Sequence, residues 1–331
     1  MRCWWVESPG PIAGSPLESG ERADPHPAPR EVRVAVRTCG VCRTDLHLAE
    51  GDVPPRAPAV VPGHEIVGVV DELGPGTQRF ALGDRIGIPW LRGTCSRCRW
   101  CRESRENLCN DATFTGWDAD GGYAQLAVVD EDYAYALPAS FDDEHAAPLL
   151  CAGIIGYRAL RRAALPPGGR LAIYGFGASA HLAAQVALAE GATVHVVTRS
   201  AAARQLALEL GASSATSTAP PEPVESALLF APAGELVPLA LSALDQGGTL
   251  AIAGIHLTDI PPLRYADHLF RERSVCSVTS NTRRDGEEFL AIAARIGARV
   301  QTQAYAFDEA DRALHDLATD QVHGAAVLHV S

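Results

Sequence analysis

A chain of 331 residues, 47% hydrophobic and 21% charged, has the composition of an ordinary globular protein with room for two cores. A formal net charge of −12 disfavours nucleic acid and anionic membranes as partners, since both call for a basic face. No apolar run approaches the roughly 18 residues of a membrane span, and MRCWWVESPG lacks the apolar stretch of a secretory leader, so the expected address is the cytoplasm. Thiols stay reduced there, and nine cysteines then read as metal ligands before they read as disulfides.

The first half alternates short apolar runs with Gly, Pro and Asp. EVRVAVRT, EIVGVVDEL, DRIGIPW and AQLAVVDEDYAYAL predict the strands of a barrel-like β domain, and residues 10–30, rich in Pro, Gly and Ser, predict a surface loop. From residue 151 the texture changes. CAGIIGYRALRRAAL is helical, RLAIYGFG is a buried strand entering a glycine turn, and ASAHLAAQVALAEGA is a helix stopped at Gly191. TVHVVTRS, SALLFAP, TLAIAGI and SVCSVTS continue as strands, with AAARQLALELGA and ELVPLALSALDQGG as intervening helices. This alternation predicts a doubly wound parallel sheet, an α/β architecture. GEEFLAIAARIGA, VQTQAYAF, DEADRALHDLATDQ and GAAVLHV then read as helix, strand, helix and strand.

CSRCRWCRESRENLC sets Cys95, Cys98, Cys101 and Cys109 in C-x2-C-x2-C-x7-C spacing. Four thiolates close a tetrahedral zinc shell with no place left for water, which marks a structural site; an iron–sulfur cluster is the rival. The arginines between them read as a solvated charged face, given Glu103, Glu106 and the acidity of the chain. Elsewhere CGVCRTDLH offers Cys39, Cys42 and His47, VPGHEIVGVV offers His64 and Glu65, and Cys151 stands alone at the change of texture. A catalytic zinc takes three protein ligands and keeps a fourth position open, and one sulfur of CGVC with His64 and Cys151 makes such a set. Whether CGVC contributes one sulfur or two is left open by its spacing alone. YGFGASAHL, between a predicted strand and a helix, carries Gly175, Gly177 and Ala180 as a GxGxxA dinucleotide turn, the last position needing only a small residue.

In this order GVCRTDLH, PGHEIVGVV, GDRIGIPW, the four-cysteine lobe, CAGIIGYRAL and the dinucleotide turn resemble the medium-chain zinc-dependent alcohol dehydrogenases, from about residue 30 to the C-terminus. The resemblance implies a GroES-like catalytic domain over residues 1–150 with a structural-zinc lobe at 92–110. It also implies a Rossmann domain over 151–286 and a return to the catalytic domain over 287–331. The implied activity moves hydride between a primary or secondary alcohol and NAD(P), with zinc as Lewis acid on the substrate oxygen and the chemistry in a cleft. A polyol or formaldehyde-adduct dehydrogenase of the same fold, and a zinc-stabilised NADPH sensor without activity, are the alternatives. The metal ligands implied are Cys42, His64 and Cys151, with Cys39 a packed thiol. Glu65 becomes a close neighbour of the ion, and Asp45 orients His64.

In the same scheme Thr44 takes the alcohol proton and His47, at the solvent end, passes it on through the cofactor ribose, and Trp90 lines the pocket, with Trp117 a second candidate. Val53 stands where small-alcohol members carry Trp, which leaves a roomier pocket. Arg43 is a pyrophosphate contact, whereas Ala325 replaces a familiar phosphate-binding Arg and His323 is its possible substitute. Asn281 and Thr282 are expected near the nicotinamide. Thr198, Arg199 and Ser200 end the second strand of the nucleotide half with no acid for a ribose 2′-hydroxyl. Arg199 suits a 2′-phosphate, so NADP(H) is expected over NAD(H). Two zinc ions per subunit and a homodimer or homotetramer complete the expectation.

Overall fold

The computed structural model describes residues 1–254 and 257–331, and it divides into two compact units. The first comprises Met1–Cys151, Ser280–Ala294 and Val300–Ser331; the second comprises Ala152–Thr279 and Arg295–Arg299. Cys151 therefore closes the first unit instead of opening the second, and the return begins at Ser280.

The organising strand of the first unit is Glu31–Val41. Val32, Val34 and Val36 are buried at alternate positions, the period of a strand with one face in a core. One edge of this strand pairs with Ile66–Leu73, while Leu126–Asp130 and Ala325–His329 pair with it in succession. The seven-stranded sheet runs Thr302–Ala306, Ala325–His329, Glu31–Val41, Ile66–Leu73, Arg85–Ile88 and Tyr135–Ala136, with Leu126–Asp130 off this path. Residues 10–30 are not all loop. Leu17–Glu21 pairs antiparallel with Arg2–Val6, and Leu17 is buried opposite Val6, so one apolar pair anchors a strand in polar surroundings. The helix Arg43–Glu50 also went unforeseen. Its apolar side is short, and its start is set by capping rather than by periodicity.

The second unit carries a six-stranded parallel sheet in the order Ser214–Thr216, Thr193–Val197, Arg170–Tyr174, Val224–Leu229, Leu244–Ile252, Ser274–Ser277. Chain order reverses between Arg170–Tyr174 and Val224–Leu229, where open α/β sheets bind ligands. The helix Ala178–Ala189 is apolar on nearly every side and accordingly buried. Gly156 of the helix Ala152–Arg162 lets that helix approach closely: a Cβ there would lie 2.6 Å from the Ser179 carbonyl. The helix expected over 235–248 stops at Ala243, and Leu244 to Gly248 already belong to the next strand. Ile255, the last residue of the expected strand TLAIAGI, lies outside the described residues.

Candidate active site

Three distant segments build one donor set. Cys42 follows the strand Glu31–Val41 and caps the helix Arg43–Glu50: its Sγ accepts the Thr44 N–H at 3.3 Å, and its own N–H donates to Asp45 Oδ2 at 2.9 Å. This reciprocal box fixes the sulfur at a helix N-terminus, where negative charge is favoured. His64 precedes Ile66–Leu73, and its Nε2 lies 3.1 Å from Cys42 Sγ. Cys151 ends the turn Ala147–Leu150. Ligand atoms of Cys42, His64, Glu65 and Cys151 all fall within 4.8 Å of one another. Cys39 takes no part: its buried thiol contacts the Gly40 carbonyl at 3.5 Å, and burial pushes it well up.

Asp45 is almost fully buried. Besides Cys42 it accepts the Gly63 N–H at 3.0 Å, and Oδ1 stands 3.2 Å from His64 Nδ1. That last contact is at ion-pair distance but not aligned as a hydrogen bond, and Nδ1 has no hydrogen-bond partner among the described residues. Asp45 therefore acts on the ring through charge and placement. Glu65 fits because residue 40 is glycine: a Cβ there would fall 1.8 Å from Glu65 Oε2.

Burial pushes Glu65 well above the carboxylate range and raises Asp45 as well. Cys42 is held well below the thiol range, first by the Cys151 hydrogen bond and then by His64 and Thr44, while the same hydrogen bond and burial drive Cys151 up. Burial and mutual repulsion keep these crowded donors from all ionising together, and a cation among them would relieve both. Two sulfurs, one imidazole and a carboxylate at these separations suit an ion with bonds of about 2.0–2.3 Å, the zinc range.

The second set is local. Cys98 and Cys101 sulfurs are 3.6 Å apart, Cys95 and Cys109 3.5 Å, and Cys95 and Cys101 4.0 Å, the edges of a small tetrahedron. Backbone N–H groups of Arg97 and Cys98 bring Cys95 down to about 7, and burial takes Cys109 up to about 12. All nine cysteines are free of disulfides.

Thr44 and His47 lie one turn apart on the helix Arg43–Glu50, hence on one face. His47 Nδ1 meets Asp52 Oδ2 at 2.9 Å, a partner that sequence reasoning missed; the only signal was an acid just past the helix. Trp90 packs edge-on to His64, with centroids 4.8 Å apart, and stacks on Phe114 at 4.9 Å and Trp117 at 5.8 Å. Arg56 lies over the Trp117 ring, 3.9 Å from its centroid, and Trp117 Nε1 donates to the Pro54 carbonyl. Val53 thus sits in a segment tied to the aromatic stack. Phe114 and Arg56 were not foreseen, because nothing local marks them.

Arg43 is paired with Asp320, which competes for any phosphate. His323 is exposed and Ala325 is buried at the start of its strand. Asn281 and Thr282 are buried. The Asn281 side chain donates to the Thr282 carbonyl, and Thr282 exchanges hydrogen bonds with Asp285 at the start of a helix. The Thr282 polar atoms are thereby engaged in capping.

In the second unit Gly175 has φ +84°, and a Cβ would meet Ala231 N at 2.9 Å, so the turn admits only glycine. Gly177 caps the helix with open space around it, and Ala180 is fully buried where a small residue is required. Ser200 Oγ caps Ala201–Glu209 by accepting the Ala203 N–H. Thr198 and exposed Arg199 precede it, and Arg204, also missed, donates to the carbonyls of both.

Residues 28–139 match the model of the alcohol dehydrogenase GroES-like domain, and residues 178–295 match that of the zinc-binding dehydrogenases. The chain is 56% identical to a probable alcohol dehydrogenase of Mycobacterium tuberculosis, over 99% of this chain and 97% of that one. It is 35% identical to an alcohol dehydrogenase of Geobacillus stearothermophilus, over 94% and 95%. A cinnamyl alcohol dehydrogenase of Sorghum bicolor superposes with a TM-score of 0.89 at 28% identity, covering 99% of this chain and 98% of that one. No helix among the described residues is long and apolar enough to cross a membrane. With two zinc centres and a nicotinamide-nucleotide turn in one chain, the protein belongs to the medium-chain zinc-dependent alcohol dehydrogenase family and acts as an oxidoreductase on CH–OH groups.

Proposed function

We propose that this dehydrogenase acts on aromatic or other bulky primary alcohols and their aldehydes, with NADP(H) preferred, as a cytoplasmic homodimer or homotetramer. The observation that carries the substrate class is the cluster of three mutually stacked rings, Trp90, Phe114 and Trp117, which meets His64 edge-on through Trp90 and surrounds that side of the donor set with apolar aromatic surface. Cys42, His64 and Cys151 hold the catalytic ion, with Glu65 beside it, and Cys95, Cys98, Cys101 and Cys109 hold the structural one. Zinc bound at the first set supplies Lewis-acid polarisation of a substrate oxygen.

The chain's own groups do the rest. The Thr44 hydroxyl takes the alcohol proton as it gives up its own, His47 receives a proton at the solvent end of the relay, and Asp52 holds the imidazole for that transfer. Asp45 anchors Cys42 and the turn before His64 at once, which keeps two ligands in register. Gly175, Gly177 and Ala180 seat the dinucleotide on the start of Ala178–Ala189, and Arg43 is a further phosphate contact once freed from Asp320. Arg199, with Arg204 one helical turn beyond it and Thr198 beside it, favours a 2′-phosphate where an NAD site would carry an acid.

Support for self-association is the sheet edge at Ser274–Ser277, on which Val275 is exposed, with Tyr265 and Phe270 exposed in the segment before it. The test is the initial rate of NADPH and of NADH oxidation by zinc-replete protein over short aliphatic, benzylic and cinnamyl aldehydes. Higher kcat/KM with the aromatic members and with NADPH is expected. A preference for short aliphatic aldehydes would remove the pocket reading, and a preference for NADH the cofactor reading.

A further inference from the structure

One turn ties the three rings of the aromatic cluster together. Thr115 donates its N–H to the Trp90 carbonyl at 2.9 Å, and Asp118 donates its own to the Phe114 carbonyl at 2.9 Å. Gly116 rests on the ligand turn: a Cβ there would come within 3.0 Å of the backbone N of Gly63, the residue before His64. Trp117 lies nearly parallel to Trp90 and Phe114, at interplanar angles of 15° and 27°. It is only half-buried, and contacts from outside the cluster hold it as well. They come from the segment 54–56, in which Pro54 accepts the Trp117 Nε1–H at 2.8 Å and the Arg56 guanidinium lies over the indole. Arg56 Nη1 pairs with Asp118 Oδ1 at 3.3 Å, while Asp118 Oδ2 accepts the Phe114 N–H at 2.9 Å. One carboxylate thus fixes the cation with one oxygen and the turn with the other. Prolines at 54, 55 and 58 restrict the backbone that carries Arg56. The Arg56 side chain is 50% exposed, and an ion pair this open adds little to stability. A cation over an indole face, in contrast, is attracted to the ring and holds its plane.

We infer that Arg56 is a positioning residue for substrate selectivity: oriented by Asp118, its guanidinium holds the Trp117 ring nearly parallel to Trp90 and Phe114 and keeps that wall flat for an aromatic aldehyde. The inference rests on the aromatic cluster being a wall of the substrate pocket.

The experiment measures kcat and KM for cinnamaldehyde and for butanal, at saturating reduced nucleotide, with the zinc-replete full-length protein, Arg56→Ala, Trp117→Leu and the double variant. Arg56→Ala is expected to lower the cinnamaldehyde-to-butanal ratio of kcat/KM about fivefold, through a raised KM for cinnamaldehyde. In the Trp117→Leu background the same substitution should leave the ratio where it stands, because the ring it acts on is gone. An equal loss for both aldehydes in Arg56→Ala would overturn the inference and make Arg56 an ordinary structural group. The same fivefold fall with and without Trp117 would overturn it too. Trp117→Leu separates the two readings. If it leaves the ratio unchanged, the pocket wall is misread and the inference falls with it; if it lowers the ratio and Arg56→Ala does not, the inference alone is overturned.

Discussion

The two cysteine centres of the first unit are built on opposite plans. The lobe of Cys95, Cys98, Cys101 and Cys109 takes all its donors from 15 consecutive residues, and three of the four are only half-buried. The set of Cys42, His64, Glu65 and Cys151 draws on segments up to 109 residues apart, with His64 and Glu65 in the interior. A local set replaces a hydrophobic core by metal bonds and forms wherever its own loop folds. A dispersed set exists only after the sheet has brought its strand ends together, so its geometry is inherited from the core, and its buried charges are held at the expense of that core. Stability should therefore depend on the first centre and chemistry on the second.

The sharpest break of that contrast is His64→Ala. Activity should fall by about 10⁴-fold, ~5.5 kcal/mol of transition-state stabilisation, while metal analysis still finds the ion of the four-cysteine lobe. Loss of both ions would show that the two centres are not independent. Cys98→Ser should reverse the pattern, costing about 4 kcal/mol in denaturant unfolding while the folded fraction keeps most of its kcat. A collapse of kcat per folded molecule would end the division of labour.

Within the dispersed centre, Thr44→Val should lower kcat by about 10²-fold with little change in zinc content. Asp52→Asn should lower it only several-fold, because Asp52 acts through His47; equal effects would place Asp52 in the proton path itself.

The smallest effect lies outside both centres. Arg170, bonded to Glu225 at 2.6 Å, brings the Glu225 carboxyl down to about 2. A folded-state value below the unfolded one, about 4.3, means stability that is present above pH 4.3 and lost as pH falls toward 2. The pair is about one-third exposed, so solvent screening leaves about 1 kcal/mol. Glu225→Gln should lose that amount at pH 6 and almost nothing near pH 2 in urea titrations. A pH-independent difference would exclude the ion pair as its source.

Legibility followed the same division between local and dispersed. Five strands of the parallel sheet could be read because most are apolar runs set between turn residues, while Ser214–Thr216 escaped because it is short and polar. Gly175 could be read because only glycine tolerates its turn. The zinc lobe could be read because its donors are close in sequence. The helix Arg43–Glu50 escaped because a cysteine, an unusual cap, begins it. The bond between the Thr282 hydroxyl and Asp285 was not legible either, since it exists only once a helix starts there. Phe114, Arg56 and Arg204 carry no motif and acquire meaning only from what stacks or bonds against them.

Residue spacing by itself determined the local devices: a closed four-thiolate shell, a dinucleotide turn, and an acid-free strand end with an arginine. Each is set by geometry within a few residues, which the chain cannot avoid. Tertiary structure decided the rest. It selected Cys42 over Cys39, because one sulfur caps a helix toward His64 while the other is sealed in the core. It also placed Asp45 against both the Cys42 and Gly63 amides and stacked Trp90 on Phe114 and Trp117. Those contacts join strand ends and turns distant in sequence, and only the packing of the whole sheet fixes which side chains share a space.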